Sequence, residues 1–448
     1  MFSAFVNIFK VPDLRKKILF TLGLLAVYRV GAYIPTPGVD SYALSEFFGN
    51  LQKGAGAGLL GLMNLFSGGA MRKLTIFALG IMPYISASII LQLLVTVIPF
   101  LEKLQKEGEV GRKKLTQYTR YGTVVLSLIQ SFFIALWLEN STQFQEYQIV
   151  PYPGWGFRLL CMITLTSGTA FIMWLGEQIT EKGIGNGISM IIATGIISRI
   201  PIAVHQMYQL VSRHGKEIST IGPLQVVFMC VLLVFVVGAI VMITQGQRKI
   251  PVQYAKRIVG RKVYTGSSTY LPLRVNQAGV IPIIFAVSIL MFPQTIAAFI
   301  NNGFMQSIAR ALTDQKILYN VLYVLLIVFF CYFYTAITFN PLDIAENMRK
   351  TGAFIPGIRP GRATTEYLDK VMTRITLSGA IFLGGIAVFP TIVNAWMKVP
   401  YLVASFFGGT GLLITVGVML DTMRQIESQL LMRHYDGFMK KGRLKGRY

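Results

Sequence analysis

The chain is short of negative charge. Its 448 residues hold 19 Asp and Glu against 42 Lys and Arg, a formal net charge of +23, although 53% of them are hydrophobic. No Asp or Glu occurs between Ile218 and Thr313, and none lies inside any apolar run of membrane length. Glu139, Glu177 and Asp421 fall just beyond run ends. Ion-coupled transporters use intramembrane carboxylates as relays, so their absence weighs against proton or cation coupling. No Gly-x-x-x-x-Gly-Lys-Ser/Thr run is present, which excludes an ATP motor of that type within this chain. Cysteine is also rare. Cys161, Cys230 and Cys331 sit in apolar runs without metal or disulfide spacing and read as packing residues. His205, His214 and His434 are scattered, so no metal centre or catalytic dyad can be assembled. The chain is expected to be neither an enzyme nor the holder of a cofactor.

What is present is a series of ten apolar runs: 18–35, 74–98, 119–138, 157–175, 184–200, 224–244, 278–299, 316–338, 371–390 and 402–420. A bilayer core of ~30 Å needs roughly 20 apolar residues in a helix. The runs are continuous, as in Val226–Ile243, whereas barrel strands alternate apolar and polar residues. The expected fold is an all-α polytopic membrane protein with ten transmembrane helices. Arg29 is the one charge deep in a run; snorkelling outward or pairing with a carbonyl suits it better than a substrate role.

Lys and Arg collect in alternate connections: before the first run, at Lys103–Arg120, in 245–277, in 339–370 and in the tail 421–448. The positive-inside rule then places both termini in the cytoplasm. Arg15-Lys16-Lys17 precedes the first run, but no small-x-small cleavage site follows, so this run reads as a retained span. Phe2, Phe5, Val6, Ile8 and Phe9 suggest an amphipathic surface helix within 1–17. Five runs fill the first half, 18–200, and five the second, 224–420, on either side of an external connection at 201–223. An odd number per half makes the two halves inverted.

Several features admit two readings. Ala57–Phe66 is apolar but too short to span, and ends at Ser67-Gly68-Gly69. It is either a re-entrant, plugging element or a helix lying on the outer leaflet. Pro83, Pro282 and Pro293 disrupt helices, as static kinks or as marks of moving elements. Ile81 and Ile85, like Ile188 and Ile192, are four apart and share a helix face. Packed or lipid-facing isoleucine is the simpler account; a water-excluding constriction is the sharper one. The basic connection 245–277 carries Arg248, Lys249, Lys256, Arg257, Arg261, Lys262 and Arg274. Topology and anionic lipid would explain such charge, but a loop of ~30 residues exceeds most connections.

Four longer motifs are specific. Residues 64–92 read NLFSGGAMRKLTIFALGIMPYISASIILQ, 175–189 read LGEQITEKGIGNGIS, 248–257 read RKIPVQYAKR and 352–361 read GAFIPGIRPG. Over essentially its whole length the chain resembles the SecY family, the channel subunits of the bacterial protein translocase. The resemblance implies a clamshell of two inverted five-helix halves around an hourglass pore in the bacterial cell membrane. It implies a re-entrant plug at 57–69, carrying Leu60, Met63, Asn64, Phe66, Ser67, Gly68 and Gly69. It implies a pore ring of Ile81, Ile85, Ile188, Ile192, Ile284 and Ile414. A lateral gate is implied between the second and seventh spans, with Ser86, Ser88, Gln92, Thr123 and Gln130 as polar lining that hydrogen-bonds across the seam. Arg248, Lys249, Lys256, Arg257 and Arg359 fall where the family docks the SecA ATPase and the ribosome. The implied partners further include SecE and SecG, signal sequences, nascent polypeptides and anionic lipid at the inner face. A secondary transporter of small molecules would share the inverted halves; an insertase without a pore would not need the plug.

Overall fold

The computed structural model of the chain describes residues 11–51, 67–140, 149–212, 223–254, 257–259, 262–264, 268–299, 316–397 and 409–441. The expected surface helix at 1–10, the plug residues Leu60, Met63, Asn64 and Phe66, and Lys256 lie outside the described residues.

Pro12 opens the first helix, α1 (Pro12–Gly31), where a missing backbone N–H costs nothing. Then come α2 (Ser41–Leu51), a 3₁₀ turn at Met71–Lys73, α3 (Met82–Val97), α4 (Pro99–Lys106), α5 (Glu109–Asn140) and α6 (Trp155–Lys182). α7 (Gly187–Ile197), α8 (Ile200–Ser212) and α9 (Pro223–Gln245) follow. A β-ribbon interrupts the helices: β1 (Gln247–Tyr254), β2 (Arg257–Val259), β3 (Lys262–Tyr264) and β4 (Ser268–Arg274). The remaining elements are α10 (Ile281–Phe299), α11 (Lys316–Thr338), α12 (Pro341–Thr351), β5 (Ala353–Phe354), α13 (Arg362–Met397) and α14 (Gly409–Lys441).

Among the described residues, six stretches are long and apolar enough to cross a membrane: Glu109–Glu139, Trp155–Lys182, Gly187–Gln209, Leu224–Gln245, Ile317–Thr351 and Arg362–Trp396. α3 and α4 together would make a seventh, bent by 100°. The chain is therefore a multi-pass membrane protein, with fewer qualifying spans than the ten expected. α1 carries Arg15, Lys16, Lys17 and Arg29. α10 runs Ile281–Phe299, and its apolar stretch among the described residues is Ile281–Leu290.

The run expected at 74–98 becomes helical only at Met82. Before that, the backbone pairs with another segment: the Thr36 amide donates to the Leu74 carbonyl (2.9 Å) and the Ile76 amide to the Ile34 carbonyl (3.0 Å). Gly80, at φ 58°, completes the turn. Pro83 and Pro282 thus stand in first helical turns and do not kink helix interiors. Pro390, in α13, is helix-interior, and α10 runs through Pro293.

The expectation of an all-α chain also needs correcting. In β1 the side chains alternate, with Ile250 and Val252 buried and Arg248, Lys249 and Gln253 exposed. That period of two is a strand's, and it buries one face only. β1 pairs antiparallel with β4 (Ile250 opposite Leu271) and with β5 (Gln253 opposite Phe354). The buried face packs with Leu273, Ile355, Leu368 and Met372, fastening the ribbon to the base of α13.

One end of the molecule holds the ribbon, the start of α1 and the α6–α7 turn. The Ile184 amide donates to Thr21 Oγ1 (3.1 Å), the Gly185 amide to Gln425 Oε1 (2.7 Å) and Arg424 to the Thr244 carbonyl (3.2 Å). The far end holds α2, the end of α1 and the α7–α8 break at Ser198–Arg199.

Glycines allow the closest approaches. A Cβ on Gly168 of α6 would run into the Ile76 carbonyl oxygen. Gly168→Val is expected to destabilise the protein by about 1–3 kcal/mol. Thermal unfolding in detergent should show a lowered midpoint, whereas Gly156→Ala, where nothing lies within 4 Å of the new carbon, should leave it unchanged.

Candidate functional site

Four elements bring the six singled-out isoleucines together. Ile81 and Ile85 lie at the start of α3, where the Ile85 amide donates to the Ile81 carbonyl (3.1 Å), so helical spacing holds. Ile188 and Ile192 stand on α7, Ile284 on α10 and Ile414 on α14. Five are buried, Ile414 completely and Ile192 to 1% exposure; Ile188 is half-buried against the same cluster. That cluster draws apolar side chains from α1, α3, α6 and α7 in the first half and from α9, α10, α11, α13 and α14 in the second. Chemically, the grouping can exclude water and ions along its axis and can bind only apolar or extended-chain surface.

The halves meet along two seams of different chemistry. α14 packs on α7 and is tied there by the Gly185–Gln425 bond, with Thr422 Oγ1 3.5 Å from Met190 Sδ. α10 packs on α3 and α5. Among the described residues no hydrogen bond crosses this second seam. Three of the five polar residues expected to line it bond within their own helices. Thr123 donates to the Thr119 carbonyl of its own helix (2.7 Å) and Gln92 to Ser88 Oγ, one turn away (3.3 Å). A short hydroxyl in a helix reaches its own preceding carbonyl without help from a neighbour. Ser86 and Gln130 are half-buried on α3 and α5.

Above the cluster, Ser67-Gly68-Gly69 is held against α1 and α7. Ser67 Oγ accepts from the Met71 amide (3.2 Å). Gly68 and Gly69 adopt φ of 64° and 97°, the left-handed region that favours glycine. A Cβ on Gly68 would sit 3.0 Å from Gly195 Cα. Arg29 Nη1 donates to the Gly68 carbonyl (3.2 Å), so the deep arginine does pair with a carbonyl.

At the opposite end, Arg248 and Lys249 are exposed on β1 and Arg359 is exposed in the turn between β5 and α13. The β1–β5 pairing joins the two basic connections into one surface, which their separation in sequence concealed. The turn is built by Gly357 (φ 82°) and Gly361 (φ 105°), with Thr364 Oγ1 donating to the Arg359 carbonyl (3.0 Å). Arg257 lies on β2, opposite Tyr264.

A helical membrane protein with an apolar cluster shared by both halves and a basic ribbon at one end defines a class of membrane channel. Its solved counterparts share that fold: "The structure of a protein conducting channel" (TM-score 0.64, 16% identity, 96% of this chain and 94% of that one) and Sec61 in the canine ribosome-channel complex from the endoplasmic reticulum (TM-score 0.61, 16% identity, the same coverage). The family model described as SecY matches residues 75–423. The protein translocase subunits SecY of Escherichia coli strain K12 (47% identical, 97% of this chain, 96% of the relative) and Thermotoga maritima (44% identical, 100% of each) match nearly end to end. The chain belongs to the SecY family.

Two ion pairs escaped sequence reasoning, which noted only that Glu139 and Glu177 fall past run ends. Glu139 Oε2 meets Arg158 Nε at 2.6 Å while Oε1 accepts from the Gly154 amide (2.8 Å), and Arg120 Nε meets Glu177 Oε1 at 2.7 Å. Both link α5 to α6. The Glu139 side chain is 3% exposed, so removing its charge strands Arg158. Glu139→Gln is expected to cost about 3 kcal/mol. Adding Arg158→Gln should restore part of the loss in denaturation of the double variant.

Proposed function

We propose that this chain is the central protein-conducting channel of a bacterial Sec translocon, passing unfolded secretory polypeptides across the cell membrane and releasing membrane segments sideways. The observation that carries this reading is the gathering of Ile81, Ile85, Ile188, Ile192, Ile284 and Ile414, from both halves, in one buried apolar cluster. As a closed ring they dewet the axis. An extended polypeptide substitutes its own side chains for the lost isoleucine contacts, whereas a hydrated ion has nothing to offer in exchange.

The remaining parts fall into place around that ring. Residues 57–69 act as the plug on the outer side, with Arg29 holding its Gly68 end by a single hydrogen bond. Ten helices form two inverted halves, 18–200 and 224–420. The seam of α10 against α3 and α5 is the lateral gate, and the α7–α14 seam, which is tied by hydrogen bonds, stays shut. Signal sequences enter this seam, where among the described residues they displace no hydrogen bond between the halves. Both termini and the connections 245–277 and 339–370 face the cytoplasm. There Arg248, Lys249, Lys256, Arg257 and Arg359 dock SecA, or the ribosome through its RNA phosphates. The likeness to a channel solved in a ribosome complex supports the second partner. SecE braces the two halves, with SecG beside it, and anionic lipid contacts the inner basic face. The energy comes from these engines or from the membrane potential.

Two measurements test the reading. Replacing Ile81 and Ile192 together by serine should raise resting ion conductance in planar bilayers by roughly tenfold or more, because hydroxyls wet the constriction. Unchanged conductance would remove the isoleucines from the pore. Arg359→Glu should cut SecA-driven transport by roughly tenfold or more while the assembled channel still purifies; normal transport would refute its docking role.

A further inference from the structure

At the far end from the ribbon, a cavity of about 300 Å³ opens between α1, α2, the Met71–Lys73 turn and the α7–α8 break. Four cationic side chains line it: Arg29, Arg72, Lys73 and Arg199. Among the described residues that line it there is no Asp or Glu. The neighbouring segment 52–66 contains none either, so it cannot supply a counter-charge.

Arg199 sets this cavity apart from an ordinary basic patch. That residue is 6% exposed, and among the described residues its Nε has no hydrogen-bond acceptor. The other cations are partly occupied. Arg29 donates to the Gly68 carbonyl and, at 3.2 Å, to the Tyr33 hydroxyl; Arg72 lies 3.4 Å from the Ser45 carbonyl; Arg29 and Lys73 stand 5.4 and 5.7 Å from the Tyr33 ring centroid. The contacts of Arg29 and Lys73 bring no negative charge. A guanidinium buried without a counterion is costly, and like charges around it raise that cost. An anion in the cavity removes both penalties. The planar fork of arginine favours an oxyanion with paired oxygens over a spherical halide.

We infer that this cavity is an oxyanion site for a phosphate group, either free phosphate or the phosphodiester of a lipid headgroup, with Arg199 as its buried ligand and Arg29, Arg72 and Lys73 around it. Gly68 and Gly69 form one wall of the cavity, and a Cβ on Gly69 would lie 3.1 Å from Arg199 Nη2.

Calorimetric titration of inorganic phosphate into the full chain, purified with its co-purifying subunits in phosphate-free detergent buffer at fixed chloride, tests the free-anion source. Saturable binding is expected. Arg199→Gln should weaken it about tenfold or more. Lys73→Gln, at an exposed position that folding does not depend on, should weaken it several-fold. Native mass spectrometry after reconstitution in phosphatidylglycerol nanodiscs tests the lipid source. A phospholipid retained by the parent protein and lost from both variants identifies the headgroup as the occupant. The inference is overturned if neither phosphate nor retained phospholipid is detected, or if binding is the same in the parent and both variants.

Discussion

Ile81, Ile85, Ile188, Ile192, Ile284 and Ile414 belong to a single apolar cluster that both halves of the chain build, and the rest of the molecule depends on that shared core. In water, such a core would hold a globular domain together through the hydrophobic effect. In a bilayer, lipid offers the outer faces of the helices nearly the same apolar surroundings, so the drive to bury them weakens. Dispersion and shape must hold the centre instead. Isoleucine suits that demand: it is stiff at χ1 and fills space without any polar group needing a partner. A core of this kind can separate and re-form without leaving an unsatisfied hydrogen bond.

The polar groups are placed where separation is not wanted. Arg120–Glu177 and Arg158–Glu139 fasten α5 to α6 within one half. Gln425 fastens α14 to the α6–α7 turn across the halves. The α10 seam has no such tie among the described residues, because Thr123 and Gln92 bond within their own helices. The contrast between tied and untied interfaces is one of chemistry: charge and hydrogen bonds on one side, apolar contact on the other.

Much of this was legible in the sequence. Long apolar runs declare membrane helices, and four-residue spacing of isoleucine declares a shared face. What stayed hidden depended on partners distant in the chain. Leu74–Ile81 is as apolar as a span, yet its backbone bonds go to Ile34 and Thr36, and no local pattern announces that choice. Val252 and Ile250 alternate as a strand does, but the two-residue strand at Ala353 is too short to be seen before β1 is placed beside it. Arg199 stands at the end of an apolar run, where a cation is ordinary, and nothing nearby in the chain announces its burial against Gly69.

The untied α10 seam has a consequence for the environments the protein separates. A wall held by titratable pairs would loosen or tighten with the acidity and ionic strength of the compartment it faced, and the two sides of a membrane rarely agree in either. Apolar contact has no proton to lose and no field for salt to screen. Among the described residues, the seam therefore gives acidity and salt no ion pair across it on which to act.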